Sequence, residues 1–548
     1  MTGNPTLPGV YYRREQIRAA ASPLRSDVAG FIGRTRWGVP GRAIRVEGWR
    51  DFIEQFGPLD AVAPLSYSLF GYFENGGEVA YVVRIVGEQS DIATGCWSAA
   101  SAKADDRFDP NSLPLPSYQN LKESDFEFCI EAKSPGAWAN NLRVGIRYTF
   151  DRNPREPSLH FRVQVRGEPA ERFTIPIRNL SDPDCNAVNQ ALELDVESRS
   201  RFIRLKTNQA KSFRLLARNL GPRHVDWDDV VLKASRETDA GAEHYLAALS
   251  ELGDQPEVAI VALPGLHFEP ELKRNDRHSI ICAAMTQAAE LQDRLVVVDV
   301  SPIDDLTRSA PQADDVIRFA DDLRQTIVDP TVLRAAAIYH PWIRTQDALG
   351  GIAAPLRTMP SSGHVAGVIS RIDRERGAHH TPSNIVVNDT VDVETLFDRT
   401  DNGLLSASGI NLIRSIPGRG PTVWGGRTLD FSREGRFLGQ RRFIHRLVRV
   451  MRRVTEPLVF DTNGPQLWLT LLHTLGTVLL EAFRSGALQG DRPEDAFRIR
   501  CDERTNPLDE REQGRVVCEV DLALAAPMEF ITLRVTLSQS GQVEVFDE

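Results

Sequence analysis

The pattern of apolar and polar positions predicts a compact α/β unit near the start of the chain. The runs VAGFI at 28–32 and VAYVVRIV at 79–86 are almost continuously apolar, as in buried strands. Between them, residues 49–56 repeat apolar side chains at helical spacing. A second apolar helix is predicted at 64–74, and the glycines at 76–77 end it.

Regular alternation of strands and helices begins near residue 250. Because parallel strands are joined by crossover helices, this spacing predicts right-handed βαβ units in a partly parallel sheet. The predicted strands are VAIVAL at 258–263, LVVVDV at 295–300 and AAAIYH at 335–340, and the predicted helices lie at about 276–292 and 312–327.

Two other regions have different patterns. From about residue 94 to 250, a polar, proline-rich stretch at 101–117 leads into short alternating runs such as LRVGIRYTF, which predict a mostly β region. From about residue 405, the pattern predicts helices near 434–455 and 465–486, followed by strands at 496–501, 515–524, 529–538 and 542–546.

No segment is apolar without interruption over the length of a membrane span. The richest stretch, at 467–483, contains His473, Gly476 and Glu481, and we expect it to be a buried core helix with no membrane insertion. The first residues lack the apolar stretch of a secretory signal, so we expect cytoplasmic assembly.

Charge and cysteine content narrow the class of protein. The 548 residues contain 65 Lys and Arg against 75 Asp and Glu, a net charge of −10, which argues against a surface built as a whole for nucleic acid or anionic membranes. The six cysteines show no CxxC pair, and we expect all of them to be reduced thiols: Cys96, Cys129, Cys185, Cys282, Cys501 and Cys518.

Motifs for cofactor or metal binding are absent or weak. The turn at 264–267 after the strand VAIVAL lacks the glycines of a dinucleotide site, and no GxxxxGK[ST] phosphate loop occurs. The adjacent His379 and His380 make a poor metal pair, because neighbouring residues point to different faces of an element. The sequence therefore predicts no cofactor and no metal site.

Motifs for catalysis are equally weak. Ser361, Ser362 and His364 lie close together in PSSGH but lack the GxSxG context of an activated serine. Asp299 ends a predicted strand, and we expect it to be a solvated loop acid or a helix cap. The sequence predicts no catalytic residue.

One segment of the chain is unusually rich in positive charge. In RRFIHRLVRVMRR at 441–453, four arginines fall on one stripe of an amphipathic helix: Arg442, Arg446, Arg449 and Arg453. In a chain of net charge −10 the stripe indicates an acidic partner, although a solvated basic face explains it equally well. Nucleic acid is the weaker interpretation, because no aromatic residues interleave with these arginines to stack bases.

Several segments, in order, resemble the sheath proteins of contractile phage tails and related bacterial injection particles. Each segment alone is weak, but together they cover roughly residues 1–93 and 255–548. The segments are PGVYYRRE at 8–15, VAGFIGRTRWGVPG at 28–41, FENGGEVAYVVRIVG at 73–87, SPGAWANNLRV at 134–144, AAAIYHPWI at 335–343, PSSGHVAGVISRIDRERGAHHTPSN at 360–384, GINLIRSIPGRGPTVWGGRTL at 409–429 and APMEFITLRVTL at 526–537.

The resemblance implies a multidomain α/β fold of the tail sheath type. The implied parts are an N-terminal arm at 1–22, a discontinuous α/β sheath domain with a partly parallel sheet at 23–93 and 251–405, a β-rich outward insertion at 94–250, and a C-terminal inner domain of two long helices, a β-sheet and a linking strand at 406–548.

The resemblance also implies a structural subunit that is no enzyme. Copies would stack as six-fold rings in a helix around an inner tube, assemble in a metastable extended form, and contract to drive the tube through a target envelope. The implied partners are other copies of the chain, the inner tube protein, baseplate and terminal cap proteins and, where a particle has them, sheath paralogues. Nucleic acid is not among them. The location is a phage tail or a phage-tail-like particle, which is either released on lysis or kept inside the cell.

Both ends of the chain are predicted to pair with neighbouring copies. Unpaired strand edges must be completed by a partner, so the arm and the last strand would add to the 515–538 sheet of neighbours. The predicted inter-subunit strands contain Pro8, Gly9, Val10, Tyr11 and Tyr12 at one end and Val543, Glu544, Val545 and Phe546 at the other.

The resemblance also places a C-terminal helix against the tube. Our candidates for the inner-tube-facing residues are Arg442, Arg446, Arg449 and Arg453, with the 467–483 helix as the competitor. Two other classes stay open at this stage. An α/β enzyme would need a cleft with converging ionisable groups at the 255–340 sheet, and a nucleic-acid-binding protein would need the basic helix to be free.

Overall fold

A computed structural model describes most of the chain between Arg25 and Asp547. The described residues are 25–98, 127–140, 142–152, 155–165, 170–176, 185–207, 225–233, 236–301, 310–352, 355–432, 434–459, 461–525, 531–537 and 543–547. The predicted arm at 1–22, with Pro8 to Tyr12, lies outside them.

The elements fall into a body (residues 25–93 and 236–437), an insertion (94–235) and a C-terminal domain (438–547). The body begins with β1 (Ala29–Gly33), β2 (Ile44–Glu47), α1 (Trp49–Phe56), α2 (Leu65–Glu74) and β3 (Val79–Arg84). The insertion contains β4 (Thr94–Ser98), β5 (Glu127–Ala132), β6 (Arg143–Arg152), β7 (Arg155–Gln164), β8 (Glu171–Pro176), α3 (Cys185–Arg199), β9 (Ile203–Thr207) and β10 (Val225–Val231).

The body resumes after the insertion and precedes the C-terminal domain. Its second part contains α4 (Ala242–Gly253), β11 (Ile260–Ala262), α5 (Arg274–Leu291), β12 (Leu295–Asp299), α6 (Ala313–Thr326), α7 (Pro330–Arg334), β13 (Ala336–His340), β14 (Ile343–Gln346), β15 (Leu356–Met359), α8 (Ser362–Glu375), β16 (Ile385–Val386), β17 (Asp392–Val393), α9 (Arg399–Ala407), β18 (Asn411–Ile416) and β19 (Gly420–Trp424). The C-terminal domain contains α10 (Leu438–Thr455), α11 (Pro465–Arg484), α12 (Pro493–Ala496), β20 (Phe497–Arg500), α13 (Leu508–Glu512), β21 (Val516–Leu522), β22 (Ile531–Leu537) and β23 (Val543–Asp547).

A nine-stranded sheet runs through the body in the order β16-β19-β18-β13-β12-β11-β1-β3-β2. The six strands from β18 to β3 pair in parallel, whereas β2 closes one edge and β19 with β16 the other by antiparallel pairing. The prediction of a partly parallel α/β sheet is confirmed. The sheet includes β18 and β19, so the body continues past the predicted boundary at residue 405.

Helices cover both faces of this sheet. One hydrophobic core joins the sheet to α4, α5 and α6, and a second joins it to α1, α2 and α8. Every residue of β12 is buried as a result, which explains its continuous apolar run in the sequence. Because Tyr245 and Leu252 of α4 belong to the first core, the insertion ends near residue 235 rather than 250.

Close contact between α2 and α8 explains the small residues of the segment PSSGHVAG. A Cβ atom at Gly363 would lie 2.5 Å from the carbonyl oxygen of Ser68, and one at Gly367 would lie 2.4 Å from that of Tyr72. Both distances are far inside van der Waals contact, so any larger residue would push the helices apart.

The insertion is mostly β, as predicted, and is fixed to the body by a buried arginine. It contains the sheets β10-β6-β7-β8 and β4-β5-β9, and α3 is its one α-helix among the described residues. The fully buried Arg84 donates to the carbonyl oxygens of Thr35, Gly38 and Pro135, which come from both parts. Burial lowers the pKa of Arg84 to about 10.

The C-terminal domain packs α10 and α11 against the sheet β20-β21-β22-β23. Leu447 of α10, Leu475 of α11 and Val520 of β21 meet in its core. Leu438, the first residue of α10, lies instead in the second core of the body. The helix α10 therefore lies between the two domains.

Candidate functional site: the assembly surfaces

Arg442 of α10 points into the body rather than toward solvent. Its guanidinium forms a two-pronged ion pair with the carboxylate of Asp373 on α8, and both side chains are buried. It also donates to the carbonyl oxygen of Ser26 at 2.9 Å. Burial raises the pKa of Asp373, and Arg442 opposes this rise. The pair links the C-terminal domain to the body.

Arg449 has a similar position two turns further along α10. It is buried and donates to the carbonyl oxygens of Arg25, Glu257 and Val258 at 2.6–2.8 Å. These carbonyl groups are partial negative charges that replace water around the guanidinium. Burial lowers the pKa of Arg449 to about 10.

The predicted arginine stripe is therefore divided. The expectation that all four arginines face a partner is wrong for Arg442 and Arg449, because both are used inside the chain. Arg446 is half-buried, and Arg453 is exposed and pairs with Glu456 at 3.4 Å. A tube-facing role stays a prediction for these two alone. The nucleic-acid interpretation required a free basic helix, which α10 is not.

The other arginines of α10 and its histidine complete the inward network. Arg452 donates to Asp293 at 3.0 Å and to the carbonyl oxygen of Leu291 at 2.6 Å. Arg441 donates to Nε2 of His445 at 2.9 Å, and both side chains are buried. Burial first, and then the neighbouring arginines, hold the pKa of His445 well below its usual value.

The helix α11 presents an open face. Leu467, Trp468, Leu471, Leu475 and Leu479 are buried, but Leu469 is 67% exposed, so the expected core helix is buried on one side only. The exposed residues of the outer face are Gln466, Leu469, Thr470, His473, Thr477, Glu481 and Arg484. Among the described residues, α11 is the one helix with the length and composition of a membrane span, yet its inner face forms the core of a folded domain.

The hydroxyl groups on this outer face are satisfied within the helix. Thr470 donates to the carbonyl oxygen of Gln466 at 3.0 Å, and Thr477 donates to that of His473 at 2.9 Å. The threonines therefore turn methyl groups outward. The result is a weakly polar surface that another protein can cover without large desolvation cost.

The last strand completes the C-terminal sheet. In the single chain β23 pairs antiparallel with β22, from Leu537 opposite Val543 to Leu533 opposite Asp547. The sheet then ends at β20 on one side and β23 on the other. The pairing of residues 543–546 with a neighbouring copy stays a prediction.

The acid and the serine cluster screened for chemistry, Asp299 with Ser361, Ser362 and His364, are buried. Asp299, the last residue of β12, is buried and accepts the backbone N–H of Ser362 at 2.9 Å at the start of α8, so the expectation of a solvated loop acid is wrong. Burial raises the pKa of Asp299 to about 7. His379 and His380 lie in the turns after α8. Across the described ranges, no group of three His, Cys, Asp or Glu side chains is arranged to hold a metal ion.

Cysteine chemistry differs from the expectation at one position. Cys129 is disulfide-bonded, so the prediction of reduced thiols is wrong there. Cys96 lies directly opposite Cys129 in the pairing of β4 with β5. Cys282, Cys501 and Cys518 are free. The sequence spacing of 96 and 129 held no signal for this contact, because only the strand register brings the two positions together.

Comparisons with known proteins agree on the fold. Residues 238–429 match the family model of the phage tail sheath protein central domain. No curated protein matches the chain. The sheath tail protein of Listeria innocua superposes with a TM-score of 0.62 at 10% identity over 93% of this chain and 95% of that one. That of Desulfitobacterium hafniense gives 0.58 at 11% over 97% and 100%.

A third structure is the helical sheath of the anti-feeding prophage in its contracted state. It gives a TM-score of 0.53 at 18% identity over 96% of this chain and 98% of that one. The similarity covers almost the full length of every chain compared, and the family match lies in the body, where the sequence resemblance had placed the sheath domain. Residues 238–429 therefore match the central domain of phage tail sheath proteins, and the chain as a whole has the fold of the sheath proteins compared.

Proposed function

We propose that the chain is the structural subunit of a contractile sheath in a phage tail or a phage-tail-like particle. The observation that carries this proposal is the fold, which 96% of the chain shares with the contracted sheath of the anti-feeding prophage. Copies stack as six-fold rings around an inner tube, contact a baseplate and a terminal cap, and shorten to drive the tube outward. The role is mechanical and not enzymatic.

The energy of contraction is stored in contacts between copies. The extended polymer is a kinetically held state, and the contracted polymer has the lower free energy because its contacts bury more surface or pair more charge. The body sheet, covered by helices on both faces, moves as one unit. Rotation then takes place at the joints between copies.

Strand exchange at the C-terminal sheet keeps the copies joined. The strand β23 pairs through backbone groups, which are the same in every copy, so β23 of a neighbour fits β22 in the same register. Exchange of an identical element between copies needs no new surface. The arm with Pro8 to Tyr12 adds to an edge of the same sheet from a second neighbour.

The outer face of α11 replaces α10 as the surface that contacts the tube. Its exposed Leu469 and threonine methyl groups give modest apolar contact, and His473, Glu481 and Arg484 give solvated polar contact. Such a surface binds the tube without a dry, tightly closed interface. The sheath can therefore release the tube during contraction.

Cysteine cross-linking tests strand exchange directly. Thr536 and Glu544 are opposite in the register of β22 and β23, so the variant Thr536→Cys/Glu544→Cys places one thiol on each strand. In assembled particles, oxidation should join chains into a ladder on a denaturing gel. A product that stays monomeric contradicts strand exchange. Each single cysteine variant is the control.

Electron microscopy of the expressed chain tests the function. We expect striated tubes or rods from the full chain, alone or with the tube protein, and loss of long polymers when residues 1–14 are removed. A full chain that stays monomeric with its tube protein contradicts the sheath function. Unimpaired polymers from the truncated chain contradict the role of the arm.

A further inference from the structure

A surface groove lies between α9 and the β18–β19 hairpin of the body. Its volume is about 440 Å³, and we call it the α9 groove. Its lining residues are Phe397, Arg399, Asn402, Gly403, Ser406, Leu412, Arg414 and Trp424. All of them come from residues 397–424, so no part of the C-terminal domain of the same chain enters the groove.

The α9 groove combines an exposed aromatic ring with positive charge. Trp424 is 42% exposed, and the guanidinium of Arg414 lies 5.2 Å from the centre of its ring. Leu404 and Leu396 nearby are 51% and 70% exposed. Tryptophan and arginine side chains contribute most to the binding energy of protein interfaces, whereas an isolated subunit gains nothing by exposing them.

The positive charge of the groove lacks an internal partner. Among the described residues, neither Arg399 nor Arg414 has a carboxylate within ion-pair distance. The two acids nearby in the sequence belong to the start of α9, where Asp398 accepts the backbone N–H of Asp401 and both lie in the positive field of the helix N-terminus. The groove therefore suits an occupant with an apolar tip and negative charge.

We propose that the occupant is the acidic segment 502–512 of a second copy of this chain. This inference rests on the proposed function, because it needs a homopolymer. In this segment, which we call the acidic knob, Leu508 is 64% exposed. Glu503, Asp509 and Glu512 are exposed around it, and none of them has an ion-pair partner among the described residues.

The acidic knob is held rigidly by its base. The side chain of Asn506 donates to the carbonyl oxygen of Val517 at 2.9 Å and accepts from the N–H of Val517 at 2.6 Å. Asp502 accepts the backbone N–H of Arg504 at 2.8 Å. A segment that is already ordered loses little conformational entropy on binding, so its few contacts give more net affinity.

Groove and knob are different surfaces of one chain, so their contact is head-to-tail. Such a contact forms a ring where its rotation closes and an open helical polymer where it does not, and both are ways to build a polymer of many copies. Leu508 fills the groove beside Trp424, and Asp509 and Glu512 face Arg399 and Arg414. The charged rim makes association dependent on salt concentration.

Charge reversal tests this contact. The groove variant is Arg399→Glu/Arg414→Glu, the knob variant is Asp509→Arg/Glu512→Arg, and the combined variant carries all four changes. We expect each two-residue variant to lower the sedimentable polymer about tenfold or more, and the combined variant to restore it to within about twofold. The matched control is Arg42→Glu/Glu271→Arg, which reverses two exposed charges outside the groove and the knob.

The outcomes separate this inference from the proposed function. A wild-type chain that forms no polymer even with its tube protein contradicts the sheath function itself. Normal polymers from the two-residue variants, loss in the groove variant alone, or no rescue in the combined variant overturn the groove–knob contact.

Cross-linking gives a readout that does not depend on charge. Chains carrying Asn402→Cys and chains carrying Asp509→Cys are mixed before assembly and treated with a short bismaleimide. Dimers that contain one chain of each kind support the contact, and their absence from well-formed polymers overturns it.

Discussion

The two long helices of the C-terminal domain differ in an unexpected way: the arginine-rich helix is mostly buried, and the leucine-rich helix has an exposed face. The helix α10 carries six arginines, yet Arg442 and Arg449 are buried and most of its surface is covered. The helix α11 is rich in leucine, yet its outer face is open and Leu469 is 67% exposed. Composition alone would have placed α10 on the surface and α11 in the core.

The difference shows how position between domains decides the role of a helix. The helix α10 lies between the body and the C-terminal sheet, so its arginines meet the carboxylate of Asp373 and carbonyl groups of the body. The helix α11 packs one face against α10 and the C-terminal sheet, and Leu469 on its other face is 67% exposed. Buried arginines thus join domains, and exposed apolar residues indicate a missing partner.

Substitution of the buried Arg442 should have the largest effect on stability among the changes that test this contrast. The substitution Arg442→Met leaves Asp373 buried without its partner, so we expect a loss of about 3–5 kcal/mol in the free energy of unfolding. Denaturant unfolding of the unassembled chain measures it. The control Arg446→Met, on the half-buried side of α10, should change stability by about 0.5 kcal/mol or less. Equal losses would contradict the division of the arginine stripe.

Leucine substitutions on α11 sharpen the contrast between its faces. Leu475→Ala opens a cavity in the C-terminal core and should cost about 2–5 kcal/mol. Leu469→Ala on the outer face should cost about 0.5 kcal/mol or less. Thermal or denaturant unfolding measures both. A large loss for Leu469→Ala would show that its face is covered within the chain.

The same outer leucine tests contact with the tube. Leu469→Asp adds a charge to a surface that the proposed tube contact would desolvate, so co-sedimentation with tube protein should decrease about tenfold or more, with little change in unfolding. Leu349→Asp, at an exposed leucine of the body that belongs to none of the proposed contacts, is the matched control. Unchanged co-sedimentation with the tube would remove α11 from the contact.

Two histidines, one on each helix, extend the comparison of α10 and α11 to the dependence of stability on pH. Burial holds the pKa of His445 on α10 well below its usual value, so the stability linked to its neutral form is full above pH 6.5 and is lost as pH falls below that value. One proton corresponds to about 1.4 kcal/mol per pH unit. We therefore expect His445→Gln to flatten the fall in stability between pH 6.5 and about 4.5.

The control for this pH effect is His473→Gln on the open face of α11. Its side chain is exposed and lies outside the buried network around His445. Other buried histidines, such as His267 and His340 with pKa values of about 3, contribute the same slope to all variants. A wild-type slope in His445→Gln would show that His445 is not buried in its neutral form.

The smallest expected effect concerns the exposed end of α10. Arg453 pairs with Glu456 at 3.4 Å, and both side chains are largely exposed. Because solvent screens such a pair, Arg453→Ala should lower the free energy of unfolding by no more than about 1 kcal/mol. A loss as large as that of Arg442→Met would contradict the distinction between the two ends of the helix.

Particular elements show how much of the fold could be predicted from the sequence. The helix predicted at 49–56 is α1, and the strands predicted at 258–263, 295–300 and 335–340 are β11, β12 and β13. These predictions rest on periodicity, which is a property of near neighbours in the chain. The predicted boundary at 405 failed because the β18–β19 hairpin joins the body sheet through pairing with β13.

Candidate sites were harder to predict than elements. Arg84 was missed, although a lone arginine in the apolar run VAYVVRIV was a signal of a buried charge with carbonyl partners. The α9 groove was missed because its lining residues, Arg399, Arg414 and Trp424 among them, come from separate elements. No pattern along the chain shows which exposed side chains will be neighbours after folding.

The sequence by itself determined the order and type of most elements, the continuous burial of the parallel strands and the amphipathic nature of α10, because each depends on side chains within a few residues of one another. Only the tertiary structure decided which charges are buried, since Arg449 reaches a carbonyl oxygen 424 residues away in the chain. It alone also decided that α11 keeps an open face. Burial depends on which surfaces meet after folding, and periodicity within one helix carries no information about the other surface.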